Sequence, residues 1–118
     1  MIAHLSNKID ADVQLATQLF VVRLARKWLD AEQVVLFGSR AKGTNSVLSD
    51  YDFAIFPSRE ARIYWPNFWN EVDECAPTLN KIDLVDLSSK IRPQLRSEIE
   101  STGIVLWSIS NNEQNETY

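Results

Sequence analysis

The chain has 118 residues, 45% of them hydrophobic, a formal net charge of -4 and a pI near 4.9. That length supports one hydrophobic core and not two. The acidic balance argues against a protein whose main work is gripping phosphate backbones, which calls for a dense basic face. A single cysteine, Cys75, excludes an intramolecular disulfide, and the single histidine, His4, leaves no basis for a histidine-built zinc site or a Cys-His nucleophile. The first residues, MIAHLSNKIDADVQ, lack the basic flank and apolar run of a signal peptide. No apolar stretch approaches the roughly 18 residues that cross a bilayer. The expectation is a cytoplasmic protein that neither enters a membrane nor binds nucleic acid directly.

Ile9, Val13, Ala16, Phe20, Leu24 and Trp28 recur at steps of three and four, which predicts a helix over residues 9–30 with that stripe against the core. QVVLF at 33–37 is apolar, β-branched and closed by Gly38, the pattern of a buried strand. RAKG then reads as a short helical segment ended by Gly43. YDFAIF, stopped by Pro57, is a second strand, and KIDLVDL at 81–87 a third. Trp65 to Cys75 has helical spacing, with Pro66 suited to a first turn. Residues 89–102 form a last helix ended by Gly103, and IVLW is a short final strand. This order predicts an α/β (α+β) domain over residues 1–110, a small mixed sheet with helices on one side, and a frayed polar tail at 111–118. The sequence holds neither a Gly-x-Gly-x-x-Gly nor a P-loop: in GSRAKG, Lys42 precedes Gly43 and no hydroxyl follows the lysine.

The chemistry concentrates in FGSRAKGTNSVLSDYDFAIF, residues 37–56. A strand ending in Gly38 lets the backbone approach a ligand closely, and a helix starting at Ser39 aims unpaired N–H groups at it, a geometry that suits a phosphate chain. Asp50 and Asp52, at i and i+2 where the next strand begins, put both carboxylates on one face, roughly 6.5 to 7 Å apart at Cα. Such a pair suits a divalent cation that also takes phosphate oxygens. Either half alone is common in turns and strand edges. The four residues together at this spacing arise by chance in a chain of this length on the order of once in a thousand.

Gly38-Ser39, ten residues, then Asp50-x-Asp52 resembles the signature of the polymerase-β-like nucleotidyltransferase superfamily, and KIDLVDL resembles the strand that carries its third carboxylate. The form FGSRAKG and the small size resemble in particular the minimal nucleotidyltransferases (MNT) that serve as antitoxins beside HEPN-domain toxins. Residues 33–107 carry the resemblance. It implies a Mg2+-dependent transfer of AMP from ATP to an acceptor hydroxyl, in several relatives a tyrosine of the partner toxin. It also implies roles for individual residues: Gly38 and Ser39 hold the triphosphate, Asp50 and Asp52 hold two metal ions, and Asp83 binds the catalytic ion and helps deprotonate the acceptor.

Three points admit two readings each. Arg40 and Lys42 either neutralise the leaving pyrophosphate or are solvated side chains of a first helical turn. Strand alternation sets Asp83 with Val85 and Leu87 on one face and Asp86 with Ile82 and Leu84 on the other, and Asp86 stands where a carboxylate caps the next helix. Trp65 and Trp69, at i and i+4, are either core or the surface that meets a partner. Three function classes follow: a protein adenylyltransferase acting on a HEPN toxin, an antitoxin that masks its toxin by contact without turnover, and a small-molecule (antibiotic) nucleotidyltransferase.

Overall fold

Four apolar segments alternate two sets of side chains to two opposite faces, and each face requires cover. In the computed structural model, which describes residues 2–109, they are β1 (Gln33–Phe37), β2 (Tyr51–Phe56), β3 (Ile82–Asp86) and β4 (Ile104–Ser108). They form one mixed sheet in the order β3-β2-β1-β4. β1 runs antiparallel to both β2 and β4, and β2 runs parallel to β3. Parallel neighbours need a long crossover. Here it is a 3-10 turn over Glu60–Tyr64, which the sequence did not disclose, followed by helix α3 (Trp65–Cys75) with Pro66 in its first turn.

Both faces of the sheet are covered, which corrects the expectation of helices on one side only. Val34, Leu36, Tyr51, Phe53 and Ile55 pack with Val21, Leu24, Ala25 and Leu29 of helix α1 (Ile2–Leu29) and with Phe68 and Val72 of α3. The alternate residues Val35, Phe37 and Ala54 face the other way, onto Leu95 and Ile99 of helix α4 (Pro93–Thr102) and onto Leu87. A single α4 with two apolar anchors covers only part of that second face, and the acidic residues occupy it beside the cover.

Two element limits also differ from expectation. α1 starts at Ile2 rather than residue 9, and α4 starts at Pro93 rather than residue 89. The stripe predicted for α1 is rotated. Phe20, Leu24 and Trp28 do reach the core, but Ile9 and Ala16 are exposed, and the buried line runs through Thr17, Val21, Leu24, Ala25 and Leu29. The predicted polar tail, residues 111–118, lies outside the described residues.

Candidate active site

Gly38 ends β1 with φ 74° and ψ -157°, a left-handed conformation that a residue with a side chain rarely adopts. Its neighbour across the antiparallel pair is the reason: Phe37 is the register partner of Asp52, and a Cβ built on Gly38 would overlap the Asp52 carboxylate at Oδ2. The backbone of the Gly-Ser turn and a carboxylate thus lie against each other without intervening side chain. The helix that follows, α2 (Ser39–Lys42), is one turn long, its carbonyl at Gly38 accepting from Ala41 and Lys42 and its end closed by Gly43 at φ 76°.

β2 places the acidic pair. Tyr51 is fully buried, stacked on Phe53 with ring centroids 6.3 Å apart, and this fixes the alternation that turns Asp52 to the opposite face. Asp50 precedes the strand and is exposed, while Asp52 is half-buried. In the parallel pair β2–β3, Asp52 and Asp83 are register partners. The sheet therefore joins Gly38, Asp52 and Asp83 across three adjacent strands.

The electrostatics follow from that packing. Burial, then the negative charges of Asp83, Asp50 and Glu98, raise the Asp52 pKa from 3.8 to about 6. Glu98 of α4 was not singled out in the sequence. The available signal was positional: Leu95 and Ile99 define the sheet-facing side of α4, and Glu98 flanks it. Two lysines partly offset the negative charge, Lys42 to Glu98 Oε1 at 3.3 Å and Lys81 to Asp83 Oδ1 at 3.3 Å. Lys42 is half-exposed and one turn from Ser39, so it retains freedom to meet an anion.

Arg40 is placed otherwise. Its side chain has no exposed surface. Nη1 and Nη2 each donate to the Asp10 carboxylate at 3.1 Å, Nη1 also to Gln14 Oε1 at 3.0 Å, and Nε to the Ser49 carbonyl at 3.1 Å. The guanidinium lies 4.0 Å over the Tyr51 ring. A phosphate-binding role for Arg40 is thereby corrected, because its donors are spent inside the protein. The expectation for Asp86 needs a smaller correction. It does leave the face of Asp83, but its Oδ1 accepts from Ser88 N at 2.8 Å and Ser88 Oγ at 2.6 Å, closing the turn after β3 rather than capping a helix that starts at Pro93.

The ligating groups that Asp50, Asp52 and Asp83 offer are carboxylates, hard oxygen donors of the kind Mg2+ prefers, and the repulsion that lifts Asp52 is what a divalent ion would offset. The donor set fits. Among the described residues, no group of three or more His, Cys, Asp or Glu side chains is placed to hold a metal ion unaided. Mg2+ ordinarily uses one or two carboxylates and completes its shell with water and substrate phosphate.

A Gly-Ser turn pressed against one of three neighbouring acidic residues on a mixed sheet defines the class: a nucleotidyltransferase. Residues 21–112 match the family model described as polymerase beta, nucleotidyltransferase, and the chain belongs to that family. The chain is similar to part of a toxin–antitoxin crystal structure with AMP-PNP, at 26% identity and a TM-score of 0.61, with 82% of this chain and 77% of that one covered. A mutant MntA–HepT toxin–antitoxin complex shares the fold at 24% identity and a TM-score of 0.60, over 82% and 77% of the two chains. So does a Shewanella oneidensis complex of a tri-AMPylated HEPN toxin with an MNT antitoxin, at 22% and 0.53, over 86% and 77%. No curated protein matches the chain.

Proposed function

We propose that this protein transfers AMP from ATP to a hydroxyl, a tyrosine of a HEPN-domain toxin, and thereby acts as the antitoxin of a pair. The observation that carries the reading is the register of Asp52 with Asp83 beside the Cβ-free approach of Gly38. Family membership supports the reaction class, and the similar complexes with AMP-PNP and with an AMPylated toxin support nucleotide and acceptor. The cytoplasm, where ATP is abundant, suits it, and among the described residues no helix is long and apolar enough to cross a membrane.

In this reading the backbone at Gly38 and the Ser39 hydroxyl hold the triphosphate, and Lys42 exchanges Glu98 for the β- and γ-phosphates. Asp50 and Asp52 would hold Mg2+, joined by Asp83. When bound, the ion supplies charge neutralisation for the triphosphate and stabilises the entering and leaving oxygens. Asp83 accepts the proton of the acceptor hydroxyl as that oxygen bonds to the α-phosphorus. The bond from the α-phosphorus to its bridging oxygen breaks, and pyrophosphate leaves with the electron pair. No covalent enzyme intermediate is needed.

Masking by contact is favoured by a separate observation. Leu5, Ile9, Leu15 and Leu19 of α1 and Leu79 are all more than half exposed, the composition of a surface that meets another protein. The two readings separate in one experiment. The parent and an Asp50→Asn/Asp52→Asn double variant are each co-expressed with the partner, and partner mass and cell growth are followed. Adenylylation predicts a gain of about 329 Da per AMP with the parent and neither mass gain nor rescue with the variant. Equal rescue without mass gain leaves masking alone.

A further inference from the structure

The segment between the Gly-Ser turn and the acidic pair has almost no apolar anchorage. Leu48 is 82% exposed and Val47 39%. The loop closes on itself through Ser46 N to Ser49 Oγ at 2.9 Å, Ser49 N to Ser46 O at 3.2 Å and Leu48 N to Ser46 Oγ at 3.2 Å. Its attachment to the rest of the protein is polar, and it converges on three carbonyls. Ser49 O, one peptide before Asp50, accepts from Arg40 Nε at 3.1 Å and from Asn80 Nδ2 at 3.2 Å. Val47 O accepts from Asn80 Nδ2 at 2.8 Å and from Arg40 Nη2 at 3.5 Å, and Ser46 O from Arg40 Nη2 at 3.4 Å. A carbonyl has two lone pairs, and at Ser49 both are taken.

The two donors come from the other two parts of the site. Arg40 directly follows Ser39. Asn80 lies three residues before Asp83, its own backbone N–H held by Thr78 Oγ1 at 3.1 Å, and the adjoining Lys81 O accepts from Tyr51 N at 2.9 Å. The Ser49 carbonyl is therefore tied at once to the Gly-Ser turn and to the approach of β3. A buried guanidinium is costly unless neutralised, and Asp10 and Gln14 of α1 supply that neutralisation.

We infer that Arg40 and Asn80 are positioning residues. Between them they clamp the Ser49 carbonyl and set Asp50 at working distance from Gly38-Ser39 and Asp83. The inference rests on the proposed role of Asp50 as a metal ligand. It assigns work to Asn80, which belongs to no motif, and gives Arg40 a task other than phosphate binding. Arginine is suited to it because its planar fork serves six acceptor atoms of five residues from one buried position, which a lysine cannot.

Asn80→Ala is the direct test, since it removes the two Asn80 Nδ2 hydrogen bonds, to Val47 O and Ser49 O, and leaves the buried Arg40 network intact. The full chain is titrated with Mn2+ in the presence of AMP-PNP, with free Mn2+ counted by electron paramagnetic resonance. Amide hydrogen exchange is measured over residues 44–50. The variant should bind Mn2+ about tenfold more weakly, the effect of one lost clamp of hydrogen bonds. Exchange should quicken in that loop alone, with the unfolding temperature within a few degrees of the parent. Arg40→Lys should weaken Mn2+ binding in the same direction. Parent-like Mn2+ affinity in folded Asn80→Ala overturns the inference, whatever the exchange rates; should that variant not fold, Asn80→Ser carries the same test. A parent that takes up no Mn2+ would instead sink the metal reading of Asp50, and the clamp then stands or falls on loop exchange, parent-like rates overturning it.

Discussion

Asp52 and Asp83 face each other as register partners on two parallel strands, with Asp52 half-buried and the Asp83 charge among the causes that raise its pKa to about 6. The folded protein thus retains a proton on Asp52 that the unfolded chain, with a value near 3.8, has already released. Between about pH 4 and pH 6 the native state binds more protons than the unfolded one, so stability falls as pH rises through that window and stays reduced above it. A shift of this size corresponds to about 3 kcal/mol in full, and solvent screening of a half-open carboxyl leaves on the order of 1 kcal/mol. In a chelating buffer, Asp52→Asn should therefore melt several degrees above the parent at pH 7.5 and no higher at pH 4. Equal melting temperatures at pH 7.5 would show that the acidic face stores no strain. Added Mg2+ should stabilise the parent and have little effect on the variant.

Gly38→Ala should nearly abolish transfer. The new methyl meets the Asp52 carboxylate, and the residue must hold φ 74°, which costs about 1–2 kcal/mol for a residue with a Cβ. The expected protein is folded, moderately destabilised, and adds AMP to its partner at no more than about one hundredth of the parent rate. Intact-mass kinetics checks this, and near-parent transfer would mean that close backbone approach at this turn is not used.

The strands were legible because each is a short β-branched or aromatic run closed by Gly, Pro or a polar turn; β1 was read to the residue and β2 likewise. The acidic pair was legible because one alternation of β2 explains Tyr51 inward and Asp52 outward. The face of α1 was misread for a physical reason. Asp10, Gln14 and Thr17 continue the line of Val21 and Leu24, so the N-terminal half of the inward stripe is polar and answers the buried Arg40. A hydrophobic pattern cannot register a stripe whose partner is a guanidinium. Arg40 itself misled because a basic residue after a phosphate-type turn reads as solvent-facing. Only the packing reveals the acceptors around it.

The two tryptophans of α3 have different roles, and a pair of alanine substitutions separates them. Trp65 packs edge-on against the fully buried Phe68, ring centroids 5.4 Å apart, and belongs to the core margin. Trp69 is 47% exposed and lines a cleft with Val72, Lys81 and Asp83. Trp65→Ala should cost about 2–4 kcal/mol in denaturant unfolding. Trp69→Ala should cost less than about 1 kcal/mol and weaken partner binding in calorimetry. The reverse order of stability losses would place the wrong tryptophan in the core.

Asp83 and Asp86 stand three residues apart on β3 and separate the chemistry from the scaffold. Asp83→Asn keeps the shape of the side chain and removes the charge that the proposed mechanism needs to take the acceptor proton. Gly38, Ser39, Asp50 and Asp52 remain to hold the nucleotide. Transfer should fall by a factor of about 100 or more, while the affinity for AMP-PNP with Mg2+ changes by less than about tenfold. Asp86→Asn acts on a turn. Its Oδ1 accepts from the Ser88 backbone and hydroxyl, and an asparagine oxygen can accept both, so stability should drop by no more than about 0.5 kcal/mol. Transfer should stay near the parent rate. Both variants are incubated with ATP, Mg2+ and the partner, and the AMP adduct is followed by mass spectrometry. Loss of transfer in Asp86→Asn with retention in Asp83→Asn would move the third carboxylate to the other face of β3. Loss of nucleotide binding in Asp83→Asn would instead make Asp83 part of the triphosphate site rather than the group that receives the proton.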